Sequence, residues 1–208
     1  MDKPEREFEL ERIVFFSDAV FAIAITLLAL TLVVPELPPH ATDSEFVSAV
    51  LSQGSQFLAF LISFAVIGEY WIAHHRIFTT LFRWDLGLLS VNLGFLLTVV
   101  ILPWPTEMIA RYGNLPSATA IYALAVAACG VMLSVVWVYA RYRGLMAEMT
   151  RRAYVDGLLR TLASPIVFLL SIPVAYASPT LAKLVWILLL PINLALDVRL
   201  GKAEGAHR

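Results

Sequence analysis

The sequence is short of charge, of cysteine, and of every motif by which soluble enzymes are recognised. Only 15% of its 208 residues are charged and 60% are hydrophobic. A soluble domain carries roughly 25% charged and 45–50% apolar residues, so the apolar excess has to face something other than water. One cysteine, Cys129, excludes an internal disulfide framework and reads as a small core residue. With a net charge of −1 and no basic run suited to phosphates, the chain is not read as a nucleic-acid binder. There is no GxGxxG, Walker loop, HExxH or nucleophile elbow, so the chain does not read as an enzyme.

What is present is a series of apolar runs near the roughly 20 residues needed to cross a bilayer. Six spans are predicted, near 13–34, 47–72, 86–109, 118–139, 158–177 and 181–196, giving an all-α, polytopic membrane protein with one transmembrane domain over residues 1–208. The first run follows a mixed-charge N-terminus and reads as a span rather than a removable signal peptide. Of the 15 Lys and Arg, all but Arg111 and Lys183 fall in the N-terminus, the second-to-third and fourth-to-fifth connections, and the C-terminal tail. That asymmetry places both termini in the cytoplasm. The loop after the first span has Glu36, Asp43 and Glu45 but no Lys or Arg, and so faces outward.

Polar groups inside such spans are costly and are candidate functional groups. Asp18 lies in the first span, preceded by Arg12 and Ser17. Arg12 is six positions away, about 120° around a helix, and is not an i,i+4 partner. The expected partners of Asp18 and Ser17 are His75 or Trp71, at the cytoplasmic end of the second span. His74 and His75 point about 100° apart on a helix and cannot easily grip one metal, so no metal site is expected. Ile23, Leu27 and Leu30 recur at i, i+4, i+7, with Thr26 beside them. Such a stripe packs against a neighbouring helix, or lines a pore that gates by dewetting; periodicity alone does not choose.

The segment from Arg12 through Phe16-Ser17-Asp18 to Ile23 and Thr26-Leu27-Leu28 resembles the first-helix signature of the transmembrane protein 175 family of endosomal and lysosomal potassium channels. Trp71-Ile-Ala-His74-His75-Arg76, Asn92 and Leu102-Pro103-Trp104-Pro105 resemble the second and third helices of that family. The resemblance covers spans one to three; the later spans match in hydropathy alone. It implies a homotetramer in a prokaryotic plasma membrane, conducting K⁺ with modest preference over Na⁺ and needing no cofactor. The first helix would line the pore, with Ile23, Leu27 and Leu30 as the constriction and Thr26 as the selectivity hydroxyl. Arg12, Ser17, Asp18, Trp71, His75 and Asn92 would form an inter-helix polar network. The competing readings are a proton-coupled secondary transporter with Asp18 and His75 as relay, and a non-transporting membrane scaffold or membrane-embedded enzyme, for which Asp18 with the two histidines is the only candidate cluster. A His75–Asp18 contact would make either activity sensitive to pH.

Overall fold

The computed structural model describes residues 3–186. The chain forms α1 (Lys3–Leu28), a 3₁₀ turn (Ala29–Thr31), α2 (Asp43–Leu51), α3 (Gly54–Thr79), α4 (Leu86–Ile101), α5 (Pro103–Tyr112), α6 (Pro116–Tyr142) and α7 (Arg151–Ala177). A further helix begins at 179 and is described as far as 186; the predicted sixth span beyond that point, and the basic tail, lie outside the described residues. Among the described residues, five helical stretches are long and apolar enough to cross a membrane, beginning at Phe8, Gly54, Leu86, Pro116 and Arg151.

Local chemistry explains where each element starts and stops. Thr42 caps α2 with a full capping box: its hydroxyl accepts from the Glu45 amide, and the Glu45 carboxylate accepts from the Thr42 amide at 2.7 Å. Asp85 caps α4, accepting from the Leu88 amide at 2.7 Å. Pro103 has no N–H to continue the α4 ladder, so the Leu102 amide closes a tight bond to the Val99 carbonyl and the chain restarts as α5. At the end of α6, Gly144 takes φ 64°. Its amide bonds Arg141 O while the Leu145 amide bonds Ala140 O, the Schellman pattern that requires a left-handed residue there.

The second span differs most from the sequence expectation of 47–72. The helical ladder is interrupted at Ser52–Gln53, so Asp43–Leu51 forms a separate amphipathic helix, and the long helix runs from Gly54 to Thr79. The histidines therefore sit inside α3, a turn before its end.

In the packing, α1 lies against α3, α4 and α5, while α6 packs on α4, α5 and α3 and carries α7. The α6–α7 contact is close because it uses small residues. A Cβ on Gly130 would stand 2.5 Å from Pro165 Cδ, and one on Gly157 would stand 2.5 Å from Trp137 Cζ2. Ser134 donates to Thr161 Oγ1 at 2.9 Å across the same seam. On the side predicted to be cytoplasmic, the α3–α4 and α6–α7 loops pair backbone to backbone: Phe82 N–H to Leu145 O at 3.1 Å and Ala147 N–H to Thr80 O at 2.9 Å. Asp85 adds a side-chain clasp to this end, accepting from Tyr139 Oη at 3.1 Å and Arg143 Nε at 3.1 Å.

Candidate functional site on the first helix

Two faces of α1 have opposite fates. Ile13, Ser17, Phe21, Ala24 and Leu28 are buried and recur at helical spacing, which fixes the face turned to the protomer. Ile23 and Leu27 lie off that face and remain 58% and 40% exposed; Phe16 on the same helix, Leu30 in the 3₁₀ turn that follows (74%) and Val34 beyond it are exposed as well. Much of their apolar surface is thus left uncovered by their own subunit. Thr26 is exposed beside them, and its hydroxyl proton is given to the Ile23 carbonyl at 2.8 Å. A hydroxyl so committed presents its remaining oxygen lone pair outward, the arrangement suited to a cation rather than to an anion.

The buried face is held by a directed chain of hydrogen bonds. Ser17 donates to its own helix at Ile13 O (2.9 Å). That leaves Ser17 Oγ to accept from Asn92 Nδ2 of α4 at 3.0 Å. The Asn92 oxygen, 2.9 Å from His74 Nε2, can then only accept, so His74 carries its proton on Nε2. His74 Nδ1 is buried without a partner, and the ring is stacked on Phe78 and Phe95 and tilted against Phe21. A neutral imidazole fits that setting; an imidazolium would strand a buried charged donor. In parallel, Trp71 Nε1–H donates to Asp18 Oδ1 at 2.8 Å, tying α1 to α3 a second time.

The structure thus brings Ser17, Asn92, Asp18 and Trp71 into contact between helices. It corrects the sequence reading on two residues. His74, not His75, is the inward histidine: His75 is exposed, its ring 6.1 Å from that of Trp71, and Asp18 is hydrogen-bonded to the tryptophan instead. The reason is phase, since His74 continues the buried face of Ile67 and Tyr70. Arg12 is also exposed and makes no ion pair with a described residue. The sequence reading passed over His74 as a network member, and it missed Gln53 as well, whose side-chain amide bonds the Val33 carbonyl just past α1. It missed the buried Ser63–Thr106–Tyr122 hydroxyl cluster too, with Ser63 Oγ 2.7 Å from Thr106 Oγ1 and 3.0 Å from Tyr122 Oη. Among the described residues, no group of three or more His, Cys, Asp or Glu is placed to hold a metal ion.

Fold and site together define a polytopic helical membrane protein whose first helix is pinned on one face and bare and apolar on the other. Residues 12–103 match the family described as endosomal/lysosomal potassium channel TMEM175. A potassium channel of Chamaesiphon minutus is 37% identical over 164 residues, covering 77% of this chain and 80% of that one. A potassium channel of Streptomyces collinus is 37% identical over 133 residues, 62% of this chain and 63% of the relative. The crystal structure of a lysosomal potassium-selective channel TMEM175 homolog from Chamaesiphon minutus superposes with a TM-score of 0.78 at 31% identity, covering 90% of this chain and 97% of that one. The chain belongs to the TMEM175 family.

Proposed function

We propose that the protein is the subunit of a potassium-permeable cation channel whose pore is formed by copies of α1 meeting on a symmetry axis. The observation that carries this reading is the uncovered stripe of Ile23, Leu27 and Leu30, opposite a face pinned by Ser17 and Asp18. A helix held rigidly on one side, with large apolar residues bare on the other, is what a cyclic assembly needs to build a conduit from one helix per subunit. Rings of these three residues form a narrow apolar constriction that excludes water when closed. Thr26 oxygens, their protons turned to the helix backbone, replace part of the hydration shell of K⁺. The unit is a homotetramer of six-span subunits in the prokaryotic cell membrane, with both termini in the cytoplasm, as the distribution of Lys and Arg requires. It works without a cofactor and as a passive conduit rather than an enzyme. Acidic residues on the outer loop, Glu36, Asp43 and Glu45, are repeated in every subunit and favour cations at that mouth.

The test is reconstitution of the full chain in liposomes, with K⁺ flux and reversal potentials under K⁺/Na⁺ gradients. Ile23→Asn places an amide in the constriction, wets it and raises flux. Unchanged flux together with unchanged selectivity would remove Ile23 from the pore and the reading with it.

A further inference from the structure

A groove of about 490 Å³ runs between α6 and α7, walled by Val131, Val135 and Val138 on one helix and Leu158 and Leu162 on the other. These residues lie inside spans, so the groove is at membrane depth. Tyr142 closes its α6 end and is strongly exposed. On α7 the same face is continued by Val155 and then by Arg151 in the first turn, at i, i+4, i+7 and i+11 with Leu158 and Leu162. An apolar trough inside the membrane therefore opens on a cationic side chain at the predicted cytoplasmic surface.

The charges at that mouth are not alike. Arg143 is committed to Asp85 at 3.1 Å, and Arg152 lies 4.0 Å from Asp156. Arg141 and Arg151 are exposed and form no ion pair with a described residue; Glu148, exposed in the same loop, is the nearby acid not engaged in such a pair. The groove is lined by α6 and α7 alone, and neither is a principal packing partner of α1, whose exposed stripe is where copies of the chain are proposed to meet.

We propose that this groove binds an anionic phospholipid. One acyl chain lies along Val131, Val135, Val138, Leu158 and Leu162, and the headgroup phosphate is held by Arg151 and Arg141. Apolar complementarity within the bilayer retains the tail, while these two guanidiniums, which form no ion pair with a described residue, select the sign of the headgroup. The site is independent of ion conduction, so its failure and the failure of the channel reading are separate results.

Native mass spectrometry of the detergent-solubilised full chain, offered phosphatidylglycerol and phosphatidylcholine with matched chains, is the experiment. Wild type is expected to retain phosphatidylglycerol about tenfold better, the scale set by attraction of two surface arginines. The double variant R141Q/R151Q brings the ratio to near one while keeping tail-driven binding. Val138→Trp fills the trough and reduces retention of both lipids. Equal retention by wild type, or an undiminished preference in R141Q/R151Q, overturns the proposal. So does oxidative cross-linking of Val135→Cys between subunits, which would show that a second copy covers the groove.

Discussion

Asn92 is the junction of the buried chain, and its replacement by alanine is the sharpest test of how α1 is held. The side chain is fully buried, gives one hydrogen bond to Ser17 and takes one from His74. Inter-helix side-chain bonds in membrane proteins average roughly 0.6 kcal/mol and reach about 1.7. Asn92→Ala loses two such bonds and also strands the His74 Nε2–H, a buried unsatisfied donor costing about 1–3 kcal/mol. The expected loss is therefore about 2–6 kcal/mol. Ser17→Ala removes the acceptor of one of these bonds, together with the Ser17 bond to Ile13 O, and in the Ser17→Ala/Asn92→Ala cycle the coupling should be about 0.6–1.7 kcal/mol. Ser90→Ala on the same helix is the control, because its hydroxyl is exposed and returns to its own helix at Leu86 O. It should move stability by less than about 0.5 kcal/mol. Titration with sodium dodecyl sulfate in mixed micelles, read by tryptophan fluorescence, measures the wild type and all four variants. A coupling indistinguishable from zero, or an Asn92→Ala no worse than Ser90→Ala, would refute the claim that this chain fixes the rotation of α1.

Three further outcomes follow from other parts of the molecule. Gly130→Ala drives a Cβ to 2.5 Å from the rigid Pro165 ring, so unfolding titration should show a loss of about 1–3 kcal/mol, partly recovered by Pro165→Ala. Burial disfavours the Asp85 carboxylate, but hydrogen bonds from the Leu88 amide, Arg143 and Tyr139 outweigh it and hold its pKa below the ordinary value. The folded state then binds fewer protons than the unfolded one, so this contribution is present above the ordinary carboxylate range and is lost as pH falls through the lowered value. Stability measured from pH 5 downward should fall more steeply in wild type than in Asp85→Asn, and equal slopes would refute it. Thr26→Val keeps the shape and removes the hydroxyl; reversal potentials should show the K⁺/Na⁺ ratio dropping about two- to tenfold, the value of one modest oxygen contact.

Much of the fold could be read from the sequence because bilayer thickness imposes element length, and proline and glycine punctuate it. Pro103 was visible as the break in the third span, and the start of α6 at Pro116 lies two residues from the predicted one. The shift of the second span has a local origin. Hydropathy runs smoothly from Val47 onward, whereas the helical ladder is interrupted at Ser52–Gln53 and resumes through the polar His74–Thr79 end. The choice between His74 and His75 was harder for a physical reason. A membrane helix is apolar on its lipid face as well as its packed face, so the contrast that marks a buried side in a water-soluble helix is blunted. The signal was available only in the spacing Val66, Tyr70, His74, Ile77, which the exposed Phe64, Trp71 and Ile72 mask. The exposure of Ile23 and Leu27 was likewise beyond reach, since a stripe at helical spacing looks the same whether a neighbour covers it or not.

The pairing of residues 80–82 with 145–147 uses main-chain amides and carbonyls alone. The bonds themselves need no particular side chain, although Leu81, Leu145 and Met146 beside them are buried in the core, and the pairing fastens two hairpins into a closed frame at one end of the subunit. Proline at Phe82 or Ala147 would delete the donor itself, so an imino acid is the substitution these two exposed positions forbid. A single nick in the stretch between Ala147 and the start of α7 would leave α6 fastened to the α3–α4 hairpin through Leu145.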